Sequence, residues 1–216
     1  MDAPLPLAAD EIHLWLFPAP LPLGGKVDHA RQLRELLGAY LRTDADGLRI
    51  ERDVHGKPFL SLSFGNALQF NLAHSADALI VALARSQPLG VDIESTRRTR
   101  PWLELARRYF TPGECAALAA LPADRLGDTF VRLWSCKEAV LKALGRGIAF
   151  GLERLEFALE GGGSVTALHT IAAEAGIAAE WRIAQLAPAS ELRGALAWRG
   201  PPMRICSFRA GPENSR

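Results

Sequence analysis

The sequence predicts a soluble α+β protein, and two observations carry that prediction. Of its 216 residues, 49% are hydrophobic and 23% charged, which is enough to bury one sizeable core or two small ones and excludes a disordered or fibrous chain. Apolar residues also recur at two periods along the chain: short strand-length runs in some segments, spacings of three and four in others.

Residues 11–17 (EIHLWLF) alternate loosely and read as a strand, and the Pro/Gly-rich stretch 17–25 reads as a loop. Over 28–41, Leu33, Leu36, Leu37, Tyr40 and Leu41 fall at helical spacing with Arg31, Arg34 and Glu35 among them, a helix with one arginine-rich wet face. Segments 68–73, 78–84 and 89–94 are short and apolar, bounded by Asn66, Ser75-Ala76-Asp77 and Ser86-Gln87-Pro88, and read as three strands. Pro88 is the natural break between an N-terminal half, 1–87, and a C-terminal half, 88–216.

Beyond it, 102–110 reads as a helix. Thr111-Pro112-Gly113-Glu114 then starts another, with Thr111 as cap, Pro112 at the first helical position and Glu114 completing a capping box; this Ala-rich helix reaches Leu121. The longest helix is expected over 126–144, where Leu126, Phe130, Leu133, Trp134, Leu141 and Leu144 form a stripe that Gly145 and Gly147 end. Apolar runs near 165–171, 181–186, 192–198 and 203–208 read as strands, and the tail from Gly211 as frayed.

Twenty-five Lys+Arg against 24 Asp+Glu leave a formal charge of +1, so sequence-independent nucleic-acid binding is not expected and any anionic ligand needs a local patch. Cys115, Cys136 and Cys206 are odd in number, far apart and never in a CxxC pair, which points away from disulfides and thiolate metal sites and toward a reducing, cytoplasmic setting. The N-terminal segment has Asp2 and Pro4, Pro6, Pro18, Pro20 and Pro22 where a secretory signal has a basic start and an unbroken apolar run. Nor is there the run of about 18 apolar residues a membrane span needs.

Three groups of residues can carry chemistry. In GVDIE (90–94) the strand period places Asp92 and Glu94 on one face, roughly 7 Å apart along the chain, with Val91 and Ile93 toward the core. Two adjacent acids repel unless a cation lies between them, and hard carboxylate oxygens suit Mg²⁺; a solvated strand edge is the structural alternative. In WSCKEAVLK (134–142), Glu138 and Lys142 share a helix face, which by itself reads as an exposed ion pair. Lys137, however, falls on the apolar stripe, where an ammonium is costly unless it reaches an interface or meets an anion. The third group is Arg31, Lys57 in HGKP and His74 in FNLAHS, cations suited to a polyphosphate, each with an ordinary surface or strand-end explanation.

There is no GxxxxGK[ST], GxGxxG, GxSxG or HExxH, and the histidines at 13, 29, 55, 74 and 169 lack metal-ligand spacing. Arg97, Arg98, Arg100, Arg107 and Arg108 read as a solvated face able to receive an acidic protein.

Taken in order, HGKP, FNLAHS, GVDIES, ARRYFTPGE and LWSCKEAVLKALGRG resemble the Sfp-type 4′-phosphopantetheinyl transferases over roughly residues 28–157. The resemblance implies transfer of the phosphopantetheine arm of coenzyme A to a serine of an apo acyl- or peptidyl-carrier protein, with release of 3′,5′-ADP and Mg²⁺ or Mn²⁺ as cofactor. It implies that Asp92, Glu94 and Glu138 hold the metal, that Lys142 neutralises the pyrophosphate, and that Lys57, His74 and Arg31 grip the nucleotide phosphates. Ala73 stands where many relatives carry serine, so that contact is lost or supplied by Ser75; Lys26 alone represents the basic residues some relatives carry before the early helix.

The short relatives are trimers whose subunits begin at the Gly-x-Asp-Ile motif. An α+β pseudodimer is therefore implied here: two similar halves, a cleft between them for the active site, coenzyme A phosphates on the 1–87 side, metal and catalysis on the 88–216 side, and a working monomer with no nucleic-acid or membrane partner. The pathway served, whether fatty-acid or secondary metabolism, is left open. A non-catalytic module binding coenzyme A or a carrier protein is the competing reading. Its usual signature is a missing metal carboxylate, and all three acids are present.

Overall fold

The structure is a computed structural model and describes residues 6–18, 28–61, 64, 68–75 and 78–210. Most of the Pro/Gly-rich stretch, Lys26, Asn66, Ala76, Asp77 and the tail from Gly211 lie outside the described residues.

In chain order, β1 (Glu11–Phe17) leads to α1 (His29–Leu41), a hairpin of β2 (Ile50–Arg52) and β3 (Pro58–Leu60), and then β4 (Leu68–Ser75), β5 (Ala78–Arg85) and β6 (Leu89–Ser95). Three helices follow, α2 (Trp102–Tyr109), α3 (Pro112–Ala119) and α4 (Ala123–Leu144). Strands β7 (Leu155–Glu160), β8 (Ser164–Ile171), β9 (Trp181–Ala189), β10 (Leu192–Arg199) and β11 (Arg204–Arg209) complete the chain. The mixed α+β class is as expected.

The helix ends follow local chemistry. Asp28 caps α1 by accepting the Arg31 backbone N–H at 3.0 Å. The box read at Thr111-Pro112-Gly113-Glu114 forms in full, Thr111 and Glu114 each accepting the other's backbone N–H. Gly145 closes α4 in the left-handed conformation, φ 69°. Helix α4 begins three residues before the expected 126, because Ala123, Asp124 and Arg125 form a polar first turn that apolar periodicity does not mark. Strands β2 and β3, three residues each, are too short to show a period, whereas the unread β7 (LEFALE) does alternate.

The strands make four layers with the helices. One sheet has the order β11-β1-β5-β4, another β6-β10-β9. Leu33, Leu36 and Leu37 of α1 pack on Trp15, Phe17, Leu79, Val81 and Leu83, covering the outer face of the first sheet. Its inner face, with Ile12, Leu14, Ile80 and Ala82, packs against Val91, Ile93, Leu196 and Trp198 of the second sheet. The remaining face of that sheet, with Ala195, Ala197 and Trp181, is covered by Leu133, Cys136, Val140 and Leu141 of α4.

One scheme occurs twice. A strand (β1, β6) is followed by helix (α1, α4) and then a hairpin (β4–β5, β9–β10) whose second strand pairs antiparallel with the first strand. Residues 86–88 join the two sets, and β11 returns to pair parallel with β1 at the edge of the first sheet. Among the described residues no helix is long and apolar enough to cross a membrane.

Candidate functional site

The site is built where β6 crosses α4. A Cβ on Gly90 would lie 2.1 Å from the Ala139 carbonyl oxygen and 2.3 Å from the Ala143 nitrogen, so only glycine lets the strand approach the helix this closely. With that contact fixed, the two-residue period sends Val91 and Ile93 into the core between the sheets and Asp92 and Glu94 toward α4, as the pentapeptide predicted.

Asp92 and Glu138 are both buried and Glu94 is half-buried. Lys142 donates to Asp92 Oδ1 at 2.8 Å and to the Val91 carbonyl at 3.1 Å. The exposed Glu138–Lys142 pair is therefore not what forms: Glu138 is only 8% exposed and Lys142 reaches across to β6. Asp92 Oδ2 and Glu138 Oε1 are buried acceptors that take no hydrogen bond. Burial first, and the charge of Asp92 second, push the Glu138 carboxyl up to about 7, against the pull of Lys142. Burial and Asp92 raise Glu94 as well, opposed by Arg100 and Lys142.

Three acids with one lysine among them, and two orphaned oxygens, form a site short of positive charge. Unpartnered buried carboxylate oxygens of this kind fit a hard divalent cation such as Mg²⁺.

Lys137 meets its anion, as its place on the stripe requires. It is fully buried, 2.6 Å from Glu114 Oε2, and donates to the Leu152 and Leu155 carbonyls. Glu114 in turn accepts the Thr111 and Phe157 N–H groups at 3.0 and 2.8 Å, so every group in this pair is satisfied. Neighbouring residues on α4 thus differ in role: Lys137 anchors the helix to α3 and β7, and Glu138 faces β6.

The expected phosphate cations are placed differently. Arg31, its side chain 70% exposed, pairs with Glu35 at 2.8 Å on the first turns of α1. His74 is exposed near the end of β4 and stacks on His29 with ring centroids 5.8 Å apart. This brings the start of α1 beside the end of β4; His29 was not singled out in the sequence because only the tertiary fold brings it to His74. Ala73 packs in the core between the sheets, and Ser75, two residues on, is half-buried. Lys57 is part-buried against the end of α4: its Nζ lies 2.7 Å from the Lys142 carbonyl, 3.3 Å from that of Leu89 and 3.4 Å from that of Ala143.

Another titratable cluster, invisible in the sequence because Cys206 comes from β11, joins Glu11, His13 and Cys206 on the first sheet. It is closed by its own hydrogen bonds. Trp15 donates to the Tyr40 hydroxyl at 2.8 Å, that hydroxyl lies 2.6 Å from His13 Nδ1, and His13 Nε2 lies 3.3 Å from Glu11. Both Glu11 oxygens are otherwise engaged, by Arg204 and by the Ala8 N–H. Burial lowers His13 and pushes the Tyr40 hydroxyl up to about 12, in keeping with a neutral imidazole and phenol beside the Glu11–Arg204 ion pair. A cavity of about 430 Å³ lies toward the start of α4, where Asp128 is bridged by Arg132 and Arg193.

The pattern of the 4′-phosphopantetheinyl transferase superfamily matches residues 88–196, half of the chain. The 4′-phosphopantetheinyl transferase HetI of Nostoc sp. is 32% identical over 224 residues, covering 91% of both chains. The chain belongs to the 4′-phosphopantetheinyl transferase superfamily. Other relatives are covered in part: 4′-phosphopantetheinyl transferase Sfp of Bacillus subtilis is 33% identical over 62% of this chain and 58% of its own length. The human L-aminoadipate-semialdehyde dehydrogenase-phosphopantetheinyl transferase is 31% identical over 59% and 44%. The family resemblance and the enzyme class expected from the motifs are thus borne out. In this phosphopantetheinyl transferase the matched span contains Asp92, Glu94, Glu138 and Lys142, the crossing of β6 and α4, while Arg31, Lys57, His74 and Ser75 precede it.

Proposed function

We propose that this transferase moves the 4′-phosphopantetheine arm of coenzyme A onto a serine of an apo acyl- or peptidyl-carrier protein, and that Asp92, Glu94 and Glu138 hold Mg²⁺ while it does so. The observation that carries the assignment is the pair of buried, unpartnered oxygens, Asp92 Oδ2 and Glu138 Oε1, beside the Lys142 ammonium. A bound Mg²⁺ supplies charge neutralisation on the pyrophosphate. The rest of the work belongs to side chains. Lys142, fixed by Asp92 and the Val91 carbonyl, is placed to neutralise a pyrophosphate oxygen at the mouth of the crossing. Serine Oγ forms a bond to the β-phosphorus, the bond to the leaving phosphate breaks, and 3′,5′-ADP departs. The serine proton is taken by a water that Glu138 orients, because a carboxylate that holds a cation is itself a weak base.

On the same reading Arg31, His74 and Ser75, which lie around the start of α1 and the end of β4, take the nucleotide side of coenzyme A. The twice-repeated strand–helix–hairpin scheme supports a pseudodimer in one chain, dividing near Pro88; a cytoplasmic monomer is part of the same proposal.

Intact-mass measurement of several apo carrier proteins incubated with the protein, coenzyme A and Mg²⁺ tests the assignment. A gain of one phosphopantetheine that vanishes with EDTA and with Asp92→Ala is expected. No gain on any carrier, with coenzyme A binding retained, would favour the non-catalytic module instead.

A further inference from the structure

The motif lysine of HGKP sits in a rigid turn. Asp53 Oδ1 accepts the His55 and Lys57 N–H groups at 2.8 and 2.9 Å, the Asp53 N–H reaches the Lys57 carbonyl at 3.0 Å, and Gly56 takes a positive φ of 84° that suits glycine. This turn lies against the end of α4, where a Cβ on Gly145 would be 3.5 Å from Asp53 Oδ2 and 3.6 Å from Lys57 Cδ.

An ammonium carries three protons, and Lys57 has a carbonyl for each: Lys142 and Ala143 in the last turn of α4, and Leu89 at the start of β6. The two helix carbonyls lie at the negative end of a 22-residue helix. All three carbonyls flank the place where Gly90 touches Ala139 and Ala143, and where the Lys142 side chain crosses to Asp92 two residues along β6.

We propose that Lys57 is a positioning residue: its ammonium staples the start of β6 to the last turn of α4, and so fixes Lys142 and Asp92 relative to one another, instead of gripping a phosphate. This rests on the proposed transfer reaction for its kinetic readout, and on the carbonyl contacts alone for its structural one. A phosphate ligand would need to give up carbonyls that have no other described side-chain donor; a staple keeps them. Burial lowers the Lys57 pKa and Asp53 opposes that, so the turn also helps keep the ammonium charged.

The test compares Lys57→Met, Lys57→Gln and Lys57→Arg with the parent. Coenzyme A affinity is measured by calorimetry, kcat and KM by carrier-protein modification, and the last turn of α4 by amide hydrogen exchange at Gly145 and Arg146, whose N–H groups bond within that turn. For Lys57→Met the expected result is a loss of tenfold or more in kcat, a dissociation constant for coenzyme A within threefold of the parent, and faster exchange at both amides. Arg, which keeps several donors, is expected to restore most of kcat. A tenfold or larger weakening of coenzyme A binding by Lys57→Met, with kcat and exchange unchanged, would overturn the proposal and make Lys57 a phosphate ligand. If the Met variant does not fold, Lys57→Gln is read by the same criteria. Absence of transfer by the parent would refute the reaction and leave the affinity and exchange results to decide the staple.

Discussion

Lys142 bonds Asp92 Oδ1 at 2.8 Å across the gap between α4 and β6, and leaves Glu138, one turn earlier on its own helix, without a partner for Oε1. The pairing across elements is what separates the two acids. Asp92 is half neutralised, while Glu138 stays buried and destabilised as an anion, and the repulsion between them is what a divalent cation would relieve.

It follows that Asp92 acts on Glu138 through charge as well as acting as a ligand. Asp92→Asn is expected to cut transfer by about a hundredfold or more, the scale seen when one electrostatic contact to a transition state is lost. It should also bring the Glu138 pKa down from about 7 toward the ordinary carboxylate value. Carbon NMR titration of the Glu138 carboxyl in metal-free protein checks this; an unchanged midpoint would show that Asp92 does not contribute to the shift.

Glu138 also ties stability to pH. Its folded pKa of about 7 lies above the 4.5 of the unfolded chain, so the folded state holds the proton more tightly. Stability of the metal-free protein therefore falls as pH rises from about 4.5 to about 7 and levels off above. Glu138→Gln, neutral throughout, is expected to be more stable than the parent at pH 8 in EDTA by about 1–3 kcal/mol. The gap should close by about pH 4.5, and transfer should be lost. Urea unfolding at both pH values measures it. Added Mg²⁺ should raise the melting temperature of the parent more at pH 8 than at pH 5.5.

Gly90 carries a steric prediction. No rotamer choice relieves a Cβ 2.1 Å from a helix carbonyl, because the obstacle is backbone. Gly90→Ala must push β6 off α4, at a cost of about 3 kcal/mol or more given that ordinary overpacking costs about 1–3. Chemical unfolding is the measurement, and a stability within about 0.5 kcal/mol of the parent would show that the crossing is looser than described.

How much of this was legible in the sequence depends on the range of the interaction. The facing of Asp92 and Glu94 followed from the strand period, and the cap at Thr111 and the stop at Gly145 from local chemistry, since each is decided within five residues. Lys137 could be marked as a charge needing an anion, but not paired with Glu114, which lies 23 positions away and is brought in by the packing of α3 on α4. The contacts of Lys57 were out of reach for the same reason: its acceptors are backbone carbonyls 32 to 86 residues on, and a carbonyl has no signature in a sequence. The cluster of Glu11, His13 and Cys206 spans nearly the whole chain, as β11 returns to β1.

The Lys137–Glu114 pair gives a last prediction, in which the single and double changes differ in kind. Lys137→Met leaves a buried carboxylate with two backbone N–H donors and no counter-charge, and should cost about 3–5 kcal/mol. Glu114→Gln leaves the ammonium with two carbonyls, and its amide can accept only one of the two N–H groups cleanly, so it should also be strongly destabilising. The double variant removes both charges, so the desolvation cost disappears with the attraction, and its loss should be well below the sum of the singles. Urea unfolding of the four proteins gives the coupling. Strict additivity would mean that Lys137 is held by the Leu152 and Leu155 carbonyls alone, and that Glu114 serves the α3 cap and β7 without it.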